Sequence, residues 1–284
     1  MRRLPLKPFA VYNLLKEIRT AVEDFRPLVL AGAAEPAAKI AAALLEAGDE
    51  QGLRNLAGRT LTAYDVQGAE VLLYVIEGDA ATPEDERTLR LADRHDVEIV
   101  CVLCTASAEP PDIPHVLATD LIVVRPGQEI PFQEIAERIA DRAGDTSYVL
   151  AAKLPAIRHA VCQQIVSKFA RQNGILGAAI FIPGADFPVL TLNQIRMVLR
   201  LAAAHGEEID GKRAVELLGV VGAGLGFRAL ARQALTAFPG PGWAIKGGVG
   251  YAGTLALGEA ALKYFESGGQ KLVNEAVDSV RFRS

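Results

Sequence analysis

Residues 70–103, EVLLYVIEGDAATPEDERTLRLADRHDVEIVCVL, decide the fold. EVLLYVI (70–76) and VEIVCVL (97–103) are apolar runs of strand length, and Pro83 to Asp93 between them reads as a helix. Strand, helix and strand in that order form the repeating unit of a parallel sheet, because parallel neighbours need a crossover long enough to hold a helix.

The alternation continues in both directions. Upstream, PLVLAG (27–32) reads as a buried strand, Ala37 to Leu45 as a helix and TLTAY (60–64) as a strand; downstream, DLIVV (120–124) reads as a strand and Phe132 to Arg142 as a helix. The expected architecture is α/β, a mostly parallel three-layer sheet domain over residues 27–146 with helices on both faces. AGDTSYVL (143–150) marks its end, with Gly144 stopping one helix and Asp145 or Thr146 capping the next. Ahead of it, within residues 1–26, Leu14, Leu15, Ile18, Val22 and Phe25 fall at helical spacing with charges between them, an amphipathic helix suited to packing on the domain that follows.

The chain has 284 residues, room for two modest domains; half its residues are hydrophobic and 23% are charged, as in a globular protein. A net charge of -4 argues against a nucleic-acid surface over the whole molecule. Cys101, Cys104 and Cys162 are an odd number with no secretory signal ahead of them, so reduced thiols in the cytoplasm are expected. Cys101 and Cys104 make a CxxC string, but an odd spacing on a strand turns the two side chains to opposite faces, which favours burial over redox or metal chemistry.

Residues 147–284 read as all-α and glycine-rich. Ala151 to Gln172 is a helix with Pro155 in its first turns and with His159, Gln163, Gln164 and Lys168 on a polar face. Thr191 with Gln194 makes a capping box ahead of a buried stripe of Ile195, Val198, Leu199 and Ala202, opposite an exposed basic pair, Arg196 and Arg200. That pair suits an acidic partner, phospholipid head groups or a solvated face. Ala214 to Phe227 carries one acid, Glu216, and Gly247 to Gly258 carries no charge. Both runs fall short of the roughly 20 apolar residues of a bilayer span. Gly222 and Gly226, then Gly250, Thr254 and Gly258, recur every four residues and let backbones approach; with Pro239 to Gly242 as a breaker, a tightly packed helical hairpin is expected. Arg228, Arg232 and Lys246 flank it, and Trp243 is either an interfacial anchor or a packing residue. The GAGLGF string fails as a dinucleotide fingerprint, since Phe227 stands at the third glycine position.

The strings FIPGADFPVLTLNQIRMVLRLAAAHGEEID, GAGLGFRALARQAL and FPGPGWAIKGGVGYAGTLALGEAALKYFESGG resemble a bacterial helical family that includes the YcjF inner-membrane proteins and often stands behind an Era-type GTPase domain. The resemblance covers about residues 150–268 and implies no catalytic residue. The element order of residues 27–146 is likewise similar to a small GTPase domain. That resemblance implies GxxxxGK followed by Ser or Thr after the first strand; here Gly32 opens the loop, Ala37, Ala38 and Lys39 take the three determinant positions, and Pro36 removes an amide. Where Asn-Lys-x-Asp would grip guanine, the chain has Cys104, Thr105, Ala106 and Ser107. Asp65 and Gly68 keep the DxxG spacing. If a nucleotide site survives, its residues are Gly32, Lys39, Asp65 and Gly68.

No GxSxG elbow or paired zinc ligands occur, and His95, His115, His159 and His205 are scattered, so no catalytic residue, metal site or cofactor is assigned. Two functions follow. One is a non-catalytic pseudo-GTPase scaffold, cytoplasmic or peripheral on the inner face of the cell membrane, that meets a protein partner, itself or a membrane surface through its helical domain, with Arg196, Arg200, Arg228, Arg232, Trp243 and Lys246 as contact candidates. The other is a divergent nucleotide-binding switch.

Overall fold

A computed structural model describes residues 8–179, 186–207, 209 and 242–267. Five strands, β1 (Leu28–Gly32), β2 (Leu53–Asn55), β3 (Val71–Glu77), β4 (Glu98–Cys104) and β5 (Leu121–Val124), lie in the order β2-β1-β3-β4-β5, every neighbouring pair parallel. The chain steps outward from β1 to β2, returns across β1 to β3, and continues to β4 and β5. That reversal between β1 and β3 is a topological switch point, and open α/β sheets place their ligands at the carboxyl ends of strands near such points.

Both faces of the central strands are covered, so those strands read as unbroken apolar runs. On one face Val29, Leu72, Tyr74, Ile99, Cys101 and Leu103 pack with Leu61, Val66, Leu89 and Ala92, the last three from α3 (Ala63–Val66) and α4 (Pro83–Arg94). The other face presents Leu28, Leu30, Leu73, Val100 and Val102, all fully buried. It is covered by α2 (Ala34–Leu45) through Ile40 and Leu44 and by α5 (Phe132–Arg142) through Ile135 and Ile139. The expected α/β layers are therefore present, with a helical region after them.

Local details correct the sequence reading. TLTAY (60–64) is not a strand. Thr62 and Asp65 form a capping box there that starts α3, and the edge strand is Leu53–Asn55, too short to register as an apolar run. The helix expected from Ala37 starts at Ala34, with Pro36 in the first turn, where a missing N–H breaks no bond. The single helix expected over 151–172 is two, α6 (Ser147–Lys153) and α7 (Pro155–Ala179): Pro155 cannot donate to α6 and takes the first position of the next helix. Thr191 is no cap, for α8 (Asp186–Ala204) begins five residues before it, with Pro188 in its first turn.

Contacts divide the chain into two compact units, Ala21–Val161, and Met1–Thr20 with Cys162–Ser284. The second contains most of α1 (Pro8–Glu23) and of α7, together with α8 and α9 (Gly242–Glu266). Val22, expected on the apolar stripe of α1, is 53% exposed, whereas Leu14 and Ile18 are buried. Glycines bring α9 against α7. A β-carbon at Gly250 would stand 2.6 Å from the Asn173 carbonyl oxygen, and one at Gly258 2.5 Å from Val166 Cγ1. Between those glycines Thr254 Oγ1 donates to the Gly250 carbonyl at 2.8 Å and accepts from Asn173 Nδ2 at 2.8 Å and Gln194 Nε2 at 3.1 Å. Asn193 Nδ2 completes the network by donating to Asn173 Oδ1 at 3.0 Å. The close approach expected at Gly250 and Gly258 is thus made with α7. The other arm of the expected hairpin, with Glu216, Gly222, Gly226, Phe227, Arg228 and Arg232, lies outside the described residues. Among the described residues no helix is long and apolar enough to cross a membrane.

Candidate functional site

At the carboxyl ends of the strands, charged side chains and a thiol line a concave surface. The register aligns Glu77, the last residue of β3, with Cys104 of β4 and Val124 of β5. Alternation puts these three on the α2 and α5 face of the sheet. Glu35, Pro36 and Lys39 from the start of α2, and Arg125, Pro126, Gln128 and Ile130 from the β5–α5 connection, complete a cavity of about 290 Å³.

The rim is held by its own hydrogen bonds. Thr105, 3% exposed, donates Oγ1 to Asp79 Oδ1 at 2.6 Å and accepts from the Ser107 amide at 3.0 Å. Arg125 donates Nη1 to the Ser107 carbonyl and Nη2 to the Ala108 carbonyl, the latter at 2.9 Å, while its amide donates to Gln128 Oε1 at 3.0 Å. The guanidinium therefore braces the loop after β4. Lys39 Nζ donates to Glu35 Oε1 at 3.1 Å, and both side chains are mostly exposed. Burial, and after it the Glu77 carboxylate, raises the Cys104 thiol above its ordinary pKa; Lys39 acts in the opposite sense. Cys104 is accordingly a protonated thiol at neutral pH. Cys101, three residues earlier, is fully buried on the other face, as the spacing of the pair requires.

Of the residues singled out as nucleotide contacts, Lys39 lines the cavity and Gly32, Asp65 and Gly68 are not among its lining residues. Gly32 ends β1 with φ +98°, and its amide neighbour Ala33 donates to the Val75 carbonyl at 2.8 Å. Asp65 is spent on capping α3: its Oδ2 accepts from the Thr62 amide at 2.8 Å and the Thr62 hydroxyl at 2.6 Å, and these bonds hold its carboxyl below the usual range. Gly68, with φ +74°, forms the turn after α3. At the carboxyl end of β2, Asn55 and the residues after it, Leu56 to Gly58, turn back to β1: the Gly58 amide donates to the Gly32 carbonyl at 2.8 Å and Asn55 Oδ1 accepts from the Ala57 amide at 3.2 Å.

Sequence reading missed Glu35, Glu77, Arg125 and Gln128 as neighbours of Lys39 and Cys104. The available signal was positional, since each of Glu77, Cys104 and Arg125 ends or directly follows a parallel strand, the place where such sheets carry sites. Among the described residues no three His, Cys, Asp or Glu side chains gather as metal ligands.

In the other unit, Arg196 and Arg200 are not the exposed pair expected. Arg200 is 8% exposed and the Arg196 side chain one-third exposed, because α1 lies over them and both bond Glu17. Trp243 and Lys246 fall in the first turns of α9, their side chains outside the described residues. Compared with known proteins, the chain matches no family model and no curated sequence.

Proposed function

We propose that the chain is a non-catalytic scaffold or interaction protein, in which a GTPase-like α/β unit without a phosphate cradle accompanies a YcjF-like helical unit that makes protein contacts. The observation that carries this reading is the connection from β1 to α2, which consists of Ala33 alone, directly after Gly32. A phosphate cradle needs several free backbone amides turned on the anion. Here the Ala33 amide bonds Val75, Pro36 has none, the Ala37 amide bonds the Ala33 carbonyl at 3.2 Å, and Glu35 puts a negative charge in the first turn of α2, which opposes an anion there. Titration calorimetry with GTP, GDP and ATP in magnesium tests it. Negligible heat is expected; micromolar, magnesium-dependent binding overturns the reading.

A second reading, a divergent nucleotide-binding switch, is favoured by the cavity of about 290 Å³ beside Lys39. On that reading Lys39→Ala abolishes binding, and unchanged affinity removes it. The scaffold reading also carries a peripheral position at the inner face of the cell membrane. Co-sedimentation with anionic liposomes at low salt tests that position, and protein left in the supernatant speaks against it.

A further inference from the structure

α1 is a helix that needs a seat. Glu23 closes it and Asp24 follows, so negative charge sits at the end of the helix that is already negative. Its first turn holds no acid and its last turn no base, and sixteen residues are marginal for an isolated helix in water. Docking supplies what the sequence lacks. Leu14 and Ile18, 3% and 5% exposed, mark the buried face.

Between them Glu17 reaches two turns of α8. Its Oε1 accepts from Arg200 Nη2 at 2.9 Å and its Oε2 from Arg196 Nη2 at 3.2 Å. The Arg200 guanidinium also lies 5.6 Å from the centre of the Phe169 ring of α7. Two guanidiniums one turn apart, backed by an aromatic ring, form a receptor for a carboxylate. Arg196 Nε is buried with no hydrogen-bond partner among the described residues, so the receptor holds donor capacity that Glu17 does not use.

We propose that this seat on α8 is a docking site for an amphipathic helix bearing a carboxylate, and that α1 is its resident, autoinhibitory occupant. When α1 leaves, Arg196, Arg200 and Phe169 receive the corresponding helix of a partner protein, whose acid is selected by charge and whose apolar neighbours fill the places of Leu14 and Ile18. This inference rests on the interaction half of the proposed function and is independent of nucleotide binding, so calorimetry with nucleotides and the experiment below fail separately.

The test is hydrogen exchange on the full chain together with binding of a synthetic peptide of residues 8–23. In Glu17→Gln the α1 amides should exchange about tenfold faster or more, while those of α8 keep their protection. The peptide should bind Glu17→Gln at least about tenfold more tightly than the wild-type chain, whose seat is filled, and Arg196→Gln introduced alongside should reverse that gain. Glu17→Asp, which keeps the charge, should hold α1 protection within about threefold of wild type. Unchanged α1 protection in Glu17→Gln overturns the proposal. So does loss of α8 protection in parallel with α1, which would make α1 an inseparable part of the core, and so does equal peptide binding by the two chains.

Discussion

The carbonyl oxygen of Val75 occupies the position beside Gly32 that a side chain would need, since a β-carbon there would stand 2.0 Å away. The contact lies at the join of β1 and α2, where the chain turns with φ +98° and the Ala33 amide bonds that same carbonyl. Gly32→Ala therefore meets a clash and an unfavourable backbone angle together. A loss of about 3 kcal/mol or more is expected in urea unfolding. Gly68→Ala is the control: its φ is +74° but nothing lies within 4 Å of the added carbon, so about 1 kcal/mol is expected. Equal losses at the two sites would show that the Val75 contact relaxes freely.

Thr254 satisfies two amide donors with one hydroxyl in a fully buried position. Thr254→Val keeps the shape but leaves Asn173 and Gln194 facing a methyl group, which costs about 2–4 kcal/mol. Thr254→Ser keeps the hydroxyl and loses a methyl, at about 1 kcal/mol. Thermal melts rank the two. A valine variant as stable as the serine variant would mean that the network does not fix the packing of α7, α8 and α9.

Alkaline stability carries the signature of Cys101. Burial, with smaller contributions from Asp85 and Cys104, pushes its thiol up to about 12 from an ordinary value of 9.0. Between those values the unfolded chain has released a proton that the folded chain retains. The stabilisation is thus complete below about pH 9 and is lost as pH rises toward 12, with a slope of up to about 1.4 kcal/mol per pH unit. Tyr74 adds to the loss at higher pH, because burial and the Asp85 carboxylate raise its phenol too. Urea midpoints between pH 9 and 10 should fall in the wild type and fall less steeply in Cys101→Ala, whatever that variant loses at neutral pH.

Cys104 faces the cavity, so its alkylation reports on the charges there. Glu77 raises the thiol and Lys39 lowers it. Iodoacetamide at pH 8 should react about two- to threefold faster with Glu77→Gln and slower with Lys39→Ala, since only the thiolate attacks. Identical rates in both variants would place the two charges too far away to matter.

What the sequence by itself determined is the α/β layering and the strands β1, β3, β4 and β5, because a strand buried on both faces must be apolar along its whole length and no local alternative accommodates EVLLYVI or VEIVCVL. It also determined that no GxxxxGK string follows β1 and that Cys101 and Cys104 point in opposed directions, both matters of spacing. Only the tertiary structure decided the rest. β2 is three residues held as a strand by pairing with β1, and Asp65 serves a helix cap that an isolated DxxG spacing cannot announce. Arg196 and Arg200 carry the pattern of a solvated face, yet Glu17, from 183 positions away in the case of Arg200, supplies the counter-charge that lets them be covered. The physical reason is common to these cases: local patterns report which side chains share a face, whereas the partner that covers that face comes from a distant part of the chain.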